Sequence, residues 1–356
     1  ERIYNDMIKF VASSANAAQV AGSESFALIL NEFKKAKPVG RVTAEFNIEK
    51  LIRNQELDLP LEDEDHINIP QYNSEVYVLG EVLNPGARLY KPNRSGKDYI
   101  DMSIMGIGTN SLGYGQPEVD EAVIKTVRDG NMATLNCPEE VYLAEKLVEM
   151  HPWADMVRFA RSGGEANAVS IRIARAASGR DKVAICGYHG WHDWYLAANL
   201  GDEQNLAGHL LPGLDPKGVP KDLRGSVLPF RYNNFPELEE LVQNNDIGVI
   251  KMEVSRNMGP EPGFLENVRK LATENEIVLI FDECTSGFRE TFGGLHLKYD
   301  IEPDISILGK TLGNGYAITA VVGKKEIMES AQRTFISSTF WTERIGSSAA
   351  LATLKM

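Results

Sequence analysis

Two short stretches set the narrowest limits on what this chain can fold into. Ile277-Val278-Leu279-Ile280-Phe281 runs into Asp282-Glu283-Cys284, and after a loop Pro303-Asp304-Ile305-Ser306-Ile307-Leu308 runs into Gly309-Lys310. Apolar runs of this length, rich in β-branched residues and lacking polar alternation, are covered on both faces, as interior strands of a parallel sheet are. Parallel strands need crossover connections, and from Val157 onward strand-like runs alternate with helical patterns. The predicted fold is therefore α/β, a mainly parallel sheet with helices on both faces. In such sheets ligands collect beyond the carboxyl ends of the strands. The carboxylate of Asp282 and the amine of Lys310 are thus expected to face one crevice.

Composition narrows the function. A chain of 356 residues with a formal net charge of −13 has the wrong sign for a nucleic-acid or anionic-membrane surface. Local amides and a few cations can still hold an anionic cofactor. Cys137, Cys186 and Cys284 are scattered and form no CxxC pair, so neither a disulfide framework nor a zinc site is expected, and a reducing compartment is the simpler reading. No run approaches the ~20 apolar residues of a membrane helix, and Glu1-Arg2-Ile3-Tyr4-Asn5-Asp6 does not resemble a signal peptide. A cytoplasmic protein is expected, and the lack of an initiating methionine reads as a fragment or a processed product.

Residues 1–95 differ in texture from the rest. A helical portion through Leu28, Ile29, Leu30 and Phe33 stops at Lys37-Pro38-Val39-Gly40, and short strand-like pieces follow. Glu75 to Val82 is one of them, with Asn84-Pro85-Gly86 as a turn. The text from Leu59 to Pro70 and from Val76 to Ala87 resembles bacterial polysaccharide-export proteins with β-grasp-like soluble-ligand-binding (SLBB) repeats. That resemblance implies a small α+β segment and, on its own, a periplasmic export protein. The acidic run Glu62 to Asp65 reads as a solvated turn. Beyond residue 96 a glycine-rich stretch, Met105 to Gly115, leads into a helix from Pro117 with Val119, Val123 and Val127 on one face, and a second helix spans Glu139 to Met150.

Val157 to Arg161 reads as a strand that enters Ser162-Gly163-Gly164-Glu165 and then a helix to about Ala177. Small residues at such a turn let the backbone approach a phosphate, which the helix amides and dipole favour, so Ser162, Gly163 and Gly164 form a candidate phosphate cup. The strand Lys182 to Gly187 ends in Tyr188-His189-Gly190-Trp191-His192, where Tyr188 is placed to stack on a flat ring. His189 and His192 are read as hydrogen-bonded structural residues, since no third metal ligand has matching spacing. Trp191 and Trp194 are read as packing or entrance residues. The buried strand from Ile247 ends in Glu253, a rim carboxylate suited to gating, substrate binding or a salt bridge. Cys284 shares a face with Asp282 and is read as packing beneath the ring, having no base partner. An acid that keeps a ring nitrogen protonated and a lysine that forms an imine suit pyridoxal 5′-phosphate.

With Asp98-Tyr99-Ile100-Asp101, Ser162-Gly163-Gly164-Glu165-Ala166, Gly187-Tyr188-His189-Gly190, Phe281-Asp282-Glu283, Ser286-Gly287-Phe288-Arg289 and Leu308-Gly309-Lys310 in this order, residues 96–356 resemble the class III pyridoxal-phosphate aminotransferases of fold type I, on the glutamate-1-semialdehyde aminomutase branch. The resemblance implies Lys310 as the Schiff-base lysine, Asp282 as partner of the ring nitrogen, Tyr188 as the stacking aromatic, and Gly163 and Gly164 at the phosphate. It implies also a homodimer in which Thr339 reaches the neighbouring subunit's phosphate. The expected reaction moves an amino group between a small-molecule amino donor and an aldehyde or keto acceptor. An intramolecular aminomutase and an inert fusion or export-binding module are the alternatives. Two departures stand out: Gly164 takes the place of a hydroxyl residue usual in the family, and the chain stops at Met356, before a small C-terminal domain.

Overall fold

The computed structural model describes residues 105–209, 213–255 and 258–356, together with the backbone of a two-stranded antiparallel pair, β1 (Glu75–Val78) and β2 (Gly86–Leu89). All of them belong to one unit, Asn73–Met356. The strand expected from Glu75 is present in part, and the remainder of the proposed 1–95 segment lies outside the described residues.

The main sheet has seven strands: β3 (Met156–Ala160), β4 (Lys182–Cys186), β5 (Val227–Pro229), β6 (Ile247–Met252), β7 (Val278–Glu283), β8 (Ile305–Leu308) and β9 (Thr319–Gly323). Their spatial order is β3-β9-β8-β7-β6-β4-β5. The ladders from β8 through β7, β6 and β4 to β5 are parallel, while β9 runs antiparallel to both of its neighbours. β7 lies near the centre, and all six of its residues are buried. Val278 and Ile280 pack into the layer that contains Val169 and Ile173; Leu279 and Phe281 pack into the opposite layer with Phe264 and Val268. Two-sided burial is what removes polar alternation from such a strand.

Helices cover both faces. The first layer is α3 (Gly163–Ser178), the second α4 (Phe235–Asn244) and α5 (Phe264–Glu274). At the β3–β9 end, α1 (Pro117–Asp129) and α2 (Pro138–Met150) each pack against α6 (Arg344–Thr353). Both α1 and α2 begin with a proline at the first turn, where the missing N–H has no intrahelical partner to lose.

One expectation on α1 is corrected. Val119 and Val123 are buried, but Val127 is 53% exposed and Thr126 takes the inward place. At ~100° per residue, Val127 stands ~80° round from Val119, whereas Thr126 returns to within ~20°. Its hydroxyl lies 2.7 Å from that of Ser348 on α6.

Candidate active site

The carboxyl ends of β7 and β8 deliver the two charged groups side by side. Their register pairs Asp282 with Ile307 and Glu283 with Leu308, and Gly309 and Lys310 follow at once. Asp282 is 5% exposed. Its Oδ2 accepts from Nδ1 of His189 at 2.9 Å, and its Oδ1 accepts from the backbone N–H of Cys284 at 3.2 Å. Burial alone would raise the carboxyl's pKa. The His189 bond and charge, with the nearby ammonium of Lys251, outweigh it and hold the group at about 2.

Lys310 begins a single 3-10 turn, Lys310–Gly313, with φ +45°. A side chain larger than glycine in the left-handed region costs about 1 kcal/mol or more, which the surroundings must enforce. The enforcement is visible. Nζ donates to Thr285 Oγ1 at 2.9 Å, the Thr311 and Ser111 hydroxyls lie 2.8 Å apart, and Asn314 accepts from the Leu112 amide. The glycine-rich stretch after Met105 thus packs over the lysine turn, and Arg289 ties it further by donating to Gly108 O.

The strand-to-helix turn at Ser162 caps α3, its Oγ accepting from Glu165 N at 3.4 Å. Three backbones crowd together here. A Cβ on Gly190 would lie 2.8 Å from Gly164 Cα, one on Gly163 would lie 3.6 Å from Cys284 Sγ, and one on Gly309 would lie 3.2 Å from that same sulfur. Cys284 therefore sits where the start of α3 meets the ends of β7 and β8. Burial, with the Asp282 charge, pushes its thiol well above the ordinary value, so it is a neutral packing group. A side chain at Gly164 would meet the His192 ring at 3.1 Å. His192 thus occupies the space that a hydroxyl residue at 164 would use.

Tyr188 is 40% exposed and set edge-on to buried Tyr195. Its backbone N–H donates to Glu253 Oε2 at 3.3 Å, and the Glu253 side chain lies against Gly187, whose φ is +124°. The rim carboxylate is thus engaged with the turn that presents the tyrosine. Of the tryptophans, Trp194 is buried in the first layer and Trp191 is 70% exposed.

Thr339 is exposed on the turn Thr339–Thr342, which Arg161 and Glu165 tie to the start of α3 through Phe340 O, Trp341 O and Trp341 Nε1. A groove of about 890 Å³ lies between α2, β3 and residues 336–338 and 341–342, beside the Thr339 turn, and none of the candidate residues lines it.

Two residues outside the sequence-derived set join the cluster. His189 is fully buried against Asp282, and its Nε2 has no partner among the described residues. The Gly187-Tyr188-His189-Gly190 motif was its signal. Lys251, also fully buried, lies one residue before the carboxyl end of β6. Its signal was one charge inside an apolar run.

Comparison with known proteins places this geometry. A 3-aminobutyryl-CoA aminotransferase of Cloacimonas acidaminovorans is 35% identical over 271 residues, 73% of this chain and 61% of that protein. A glutamate-1-semialdehyde 2,1-aminomutase of Methanothermobacter thermautotrophicus is 36% identical over 272 residues, 73% of this chain and 63% of that protein. The chain spans about three-fifths of the length of these curated relatives. Among solved structures, the PLP internal aldimine form of the FumI protein of Sphingopyxis sp. MTA144 superposes with a TM-score of 0.63 at 26% identity, covering 71% of this chain and 59% of that one. A β-phenylalanine aminotransferase of Variovorax paradoxus gives 0.59 at 27%, covering 70% and 56%. With residues 83–356 matched as aminotransferase class-III, the chain belongs to the class-III aminotransferase family.

Proposed function

We propose that the chain binds pyridoxal 5′-phosphate and moves an amino group between a small-molecule amino donor and an aldehyde or keto acceptor. The observation that carries this reading is the pairing of a buried, ionised carboxylate at the end of β7 with a half-buried lysine at the end of β8, beside the start of a 16-residue helix. The residues suit an anionic cofactor with a flat cationic ring. Close backbone approach at Gly164 and Gly190 leaves no room for side chains over the first amides of α3, the buried Nε2 of His189 has no partner, and Lys310 is held by one hydroxyl.

When bound, the cofactor supplies an aldehyde that combines with amines and a cationic ring that withdraws electrons. In this reading Ser162, Gly163 and Gly164 hold the phosphate through backbone amides and the α3 dipole, while Tyr188 covers one ring face. Asp282, kept ionised by His189, pairs with the ring nitrogen. Cys284 packs at the junction, and Glu253 holds the Gly187–Tyr188 turn in place. Lys310 Nζ anchors the cofactor and, once free, takes the proton from the substrate carbon that bears the amino group.

Thr339 is proposed to reach the phosphate of a second copy in a homodimer. Its exposure, beside Phe335 at 83% and Phe340 at 62%, supports this, since apolar surface of that kind is usually covered. The three free cysteines accord with a cytoplasmic site of action. Among the described residues no helix is long and apolar enough to cross a membrane. The export-like reading of residues 1–95, joined to a core from 96, stands as a proposal beside this one.

The test is the visible spectrum of the purified chain with cofactor, followed by borohydride reduction and peptide mapping. A reduced adduct on Lys310 is expected, absent in Lys310→Ala; a variant that keeps both chromophore and adduct would refute the assignment. The relatives' names favour an intramolecular aminomutase as the second reading. Turnover of a single substrate without an added amino donor would select it. Absence of saturable cofactor binding would instead favour an inert module.

A further inference from the structure

Lys251 is a charge in a place where a charge is costly. It stands on β6 between Ile185 of β4 and Ile280 of β7, and all three are fully buried. Paired residues of parallel strands project to the same face, so its side chain enters the layer formed by Ile185, Ile280, Val169 and Ile173. There its amine has one hydrogen-bond partner among the described residues, Ser170 Oγ on α3 at 3.2 Å, and that hydroxyl is itself occupied in donating to Asn167 O. No direct ion pair reaches the amine among the described residues. A buried ammonium with one neutral partner is strongly disfavoured unless an opposite charge is near. By alternation along β7, Asp282 lies on the same face as Ile280, two residues toward the site, and its carboxylate is the anion that acts on Lys251.

We infer that Lys251 is the resident counter-charge of the cofactor site, a positioning residue that balances Asp282 until a cationic ring arrives and then gives its proton to solvent. The inference rests on the proposed pairing of Asp282 with the ring nitrogen. With the ring in place, Asp282 would face a further cation, and Lys251 and the ring would share the buried carboxylate that His189 already contacts. Repulsion between like charges then favours the neutral amine, which keeps the Ser170 contact and fits the isoleucine layer better than the ammonium.

The groups facing the amine are consistent with a poised proton. Burial lowers the Lys251 pKa to about 8, with Asp282 opposing that effect. Cys284, the other titratable group acting on it, is held neutral by its own burial. Near neutral pH such an amine is still partly protonated, so a fraction of a proton is available for release.

The experiment is calorimetric titration of the full chain, freed of cofactor, with pyridoxal 5′-phosphate near pH 7.5. Two buffers of different ionisation enthalpy give the number of protons released, for the natural chain and for Lys251→Met, Lys251→Arg and Asp282→Asn. The natural chain should release more protons than Lys251→Met, by a fraction of one per chain. Lys251→Met should bind the cofactor within about threefold of the natural chain, whereas Lys251→Arg, which cannot shed its charge, should bind at least about tenfold more weakly. A residue that only fills space would give the reverse order, with arginine the milder change.

Equal proton release by the natural chain and Lys251→Met, or weak binding by methionine with near-normal binding by arginine, would overturn the inference while leaving Asp282's role intact. Unchanged binding and absorbance in Asp282→Asn would overturn the Asp282 assignment and the inference with it. Lys251→Gln provides a second neutral variant should methionine prevent folding.

Discussion

The His189–Asp282 pair is the contact through which the site's charge can be tested without any substrate. In His189→Leu, the Asp282 carboxylate loses the partner at 2.9 Å and keeps one backbone N–H at 3.2 Å. Hydrogen bonds to charged groups contribute about 1.5–3 kcal/mol, and neutral ones about 0.5–1.5. The same substitution in an Asp282→Asn background should therefore cost about 1–2 kcal/mol less, and that difference is the coupling energy of the pair. Urea denaturation of the four chains at pH 7 measures it.

The pH dependence supplies an independent check. Asp282's pKa is depressed from 3.8 to about 2 in the fold, so the stability it confers is complete above about pH 4 and is lost as pH falls through about 2. That depression corresponds to about 2 kcal/mol. Without His189, burial has less to oppose it and most of this contribution disappears. The gap between the natural chain and His189→Leu should hold steady from pH 7 to about 5, narrow by about half near pH 3 and close as the pH falls below about 2. A coupling below about 0.5 kcal/mol, or a gap that stays the same between pH 7 and pH 3, would refute the assignment of charge to this pair.

Gly309→Ala should destabilise the fold by about 1–3 kcal/mol by overpacking, because its Cβ would meet Thr319 Cγ2 at 2.9 Å as well as the Cys284 sulfur. Adding Thr319→Ser, which deletes that methyl but keeps the hydroxyl, should return part of the loss in a thermal melt; no recovery would contradict the packing account. Cys284 and Cys137, raised by burial, the latter to about 11, should resist iodoacetamide at pH 8 in the folded chain and react once it is unfolded. Arg344→Met should remove the pair with which Arg344 holds Glu139 at about 2, below its usual 4.5. Because that pair stabilises above about pH 4.5 and fades as pH falls through 2, the variant's deficit in stability should be clear at neutral pH and shrink in acid.

Much of the site could be read from the sequence because its residues sit at the ends of strands that are buried on both faces. Asp282 and Lys310 follow unbroken apolar runs, and the parallel topology then puts them at one edge regardless of how far apart they lie in the chain. Strand direction was less accessible. Thr319 to Gly323 has the same composition as its parallel neighbours, and its reversal follows from the short return out of the Lys310 turn, which no residue in the strand encodes. Lys251 is hard to read from sequence because a count of apolar residues tolerates one lysine, and its importance depends on which face of β6 turns toward Asp282. His189 lay within a motif already marked, but its partner is 93 positions away. The encounter of His192 with Gly164 likewise joins two loops whose proximity only the folded backbone creates.

The reversed strand has a bearing on the order in which the site can assemble. β8 and β9 pair Leu308 with Ala320, so the turn carrying Lys310 is closed by partners 12 residues apart, whereas the bond from His189 to Asp282 spans 93. On chain-entropy grounds alone the longer closure is costlier by about 1.8 kcal/mol. The β8–β9 pair that carries the lysine is thus nearly local structure, although its turn is completed by Ser111 and Leu112 from far upstream, while the carboxylate acquires its histidine only after β4, β6 and β7 have come together. A refolding chain would present the amine before the charge that balances the site, and binding competence would be gained in the last sheet-forming steps.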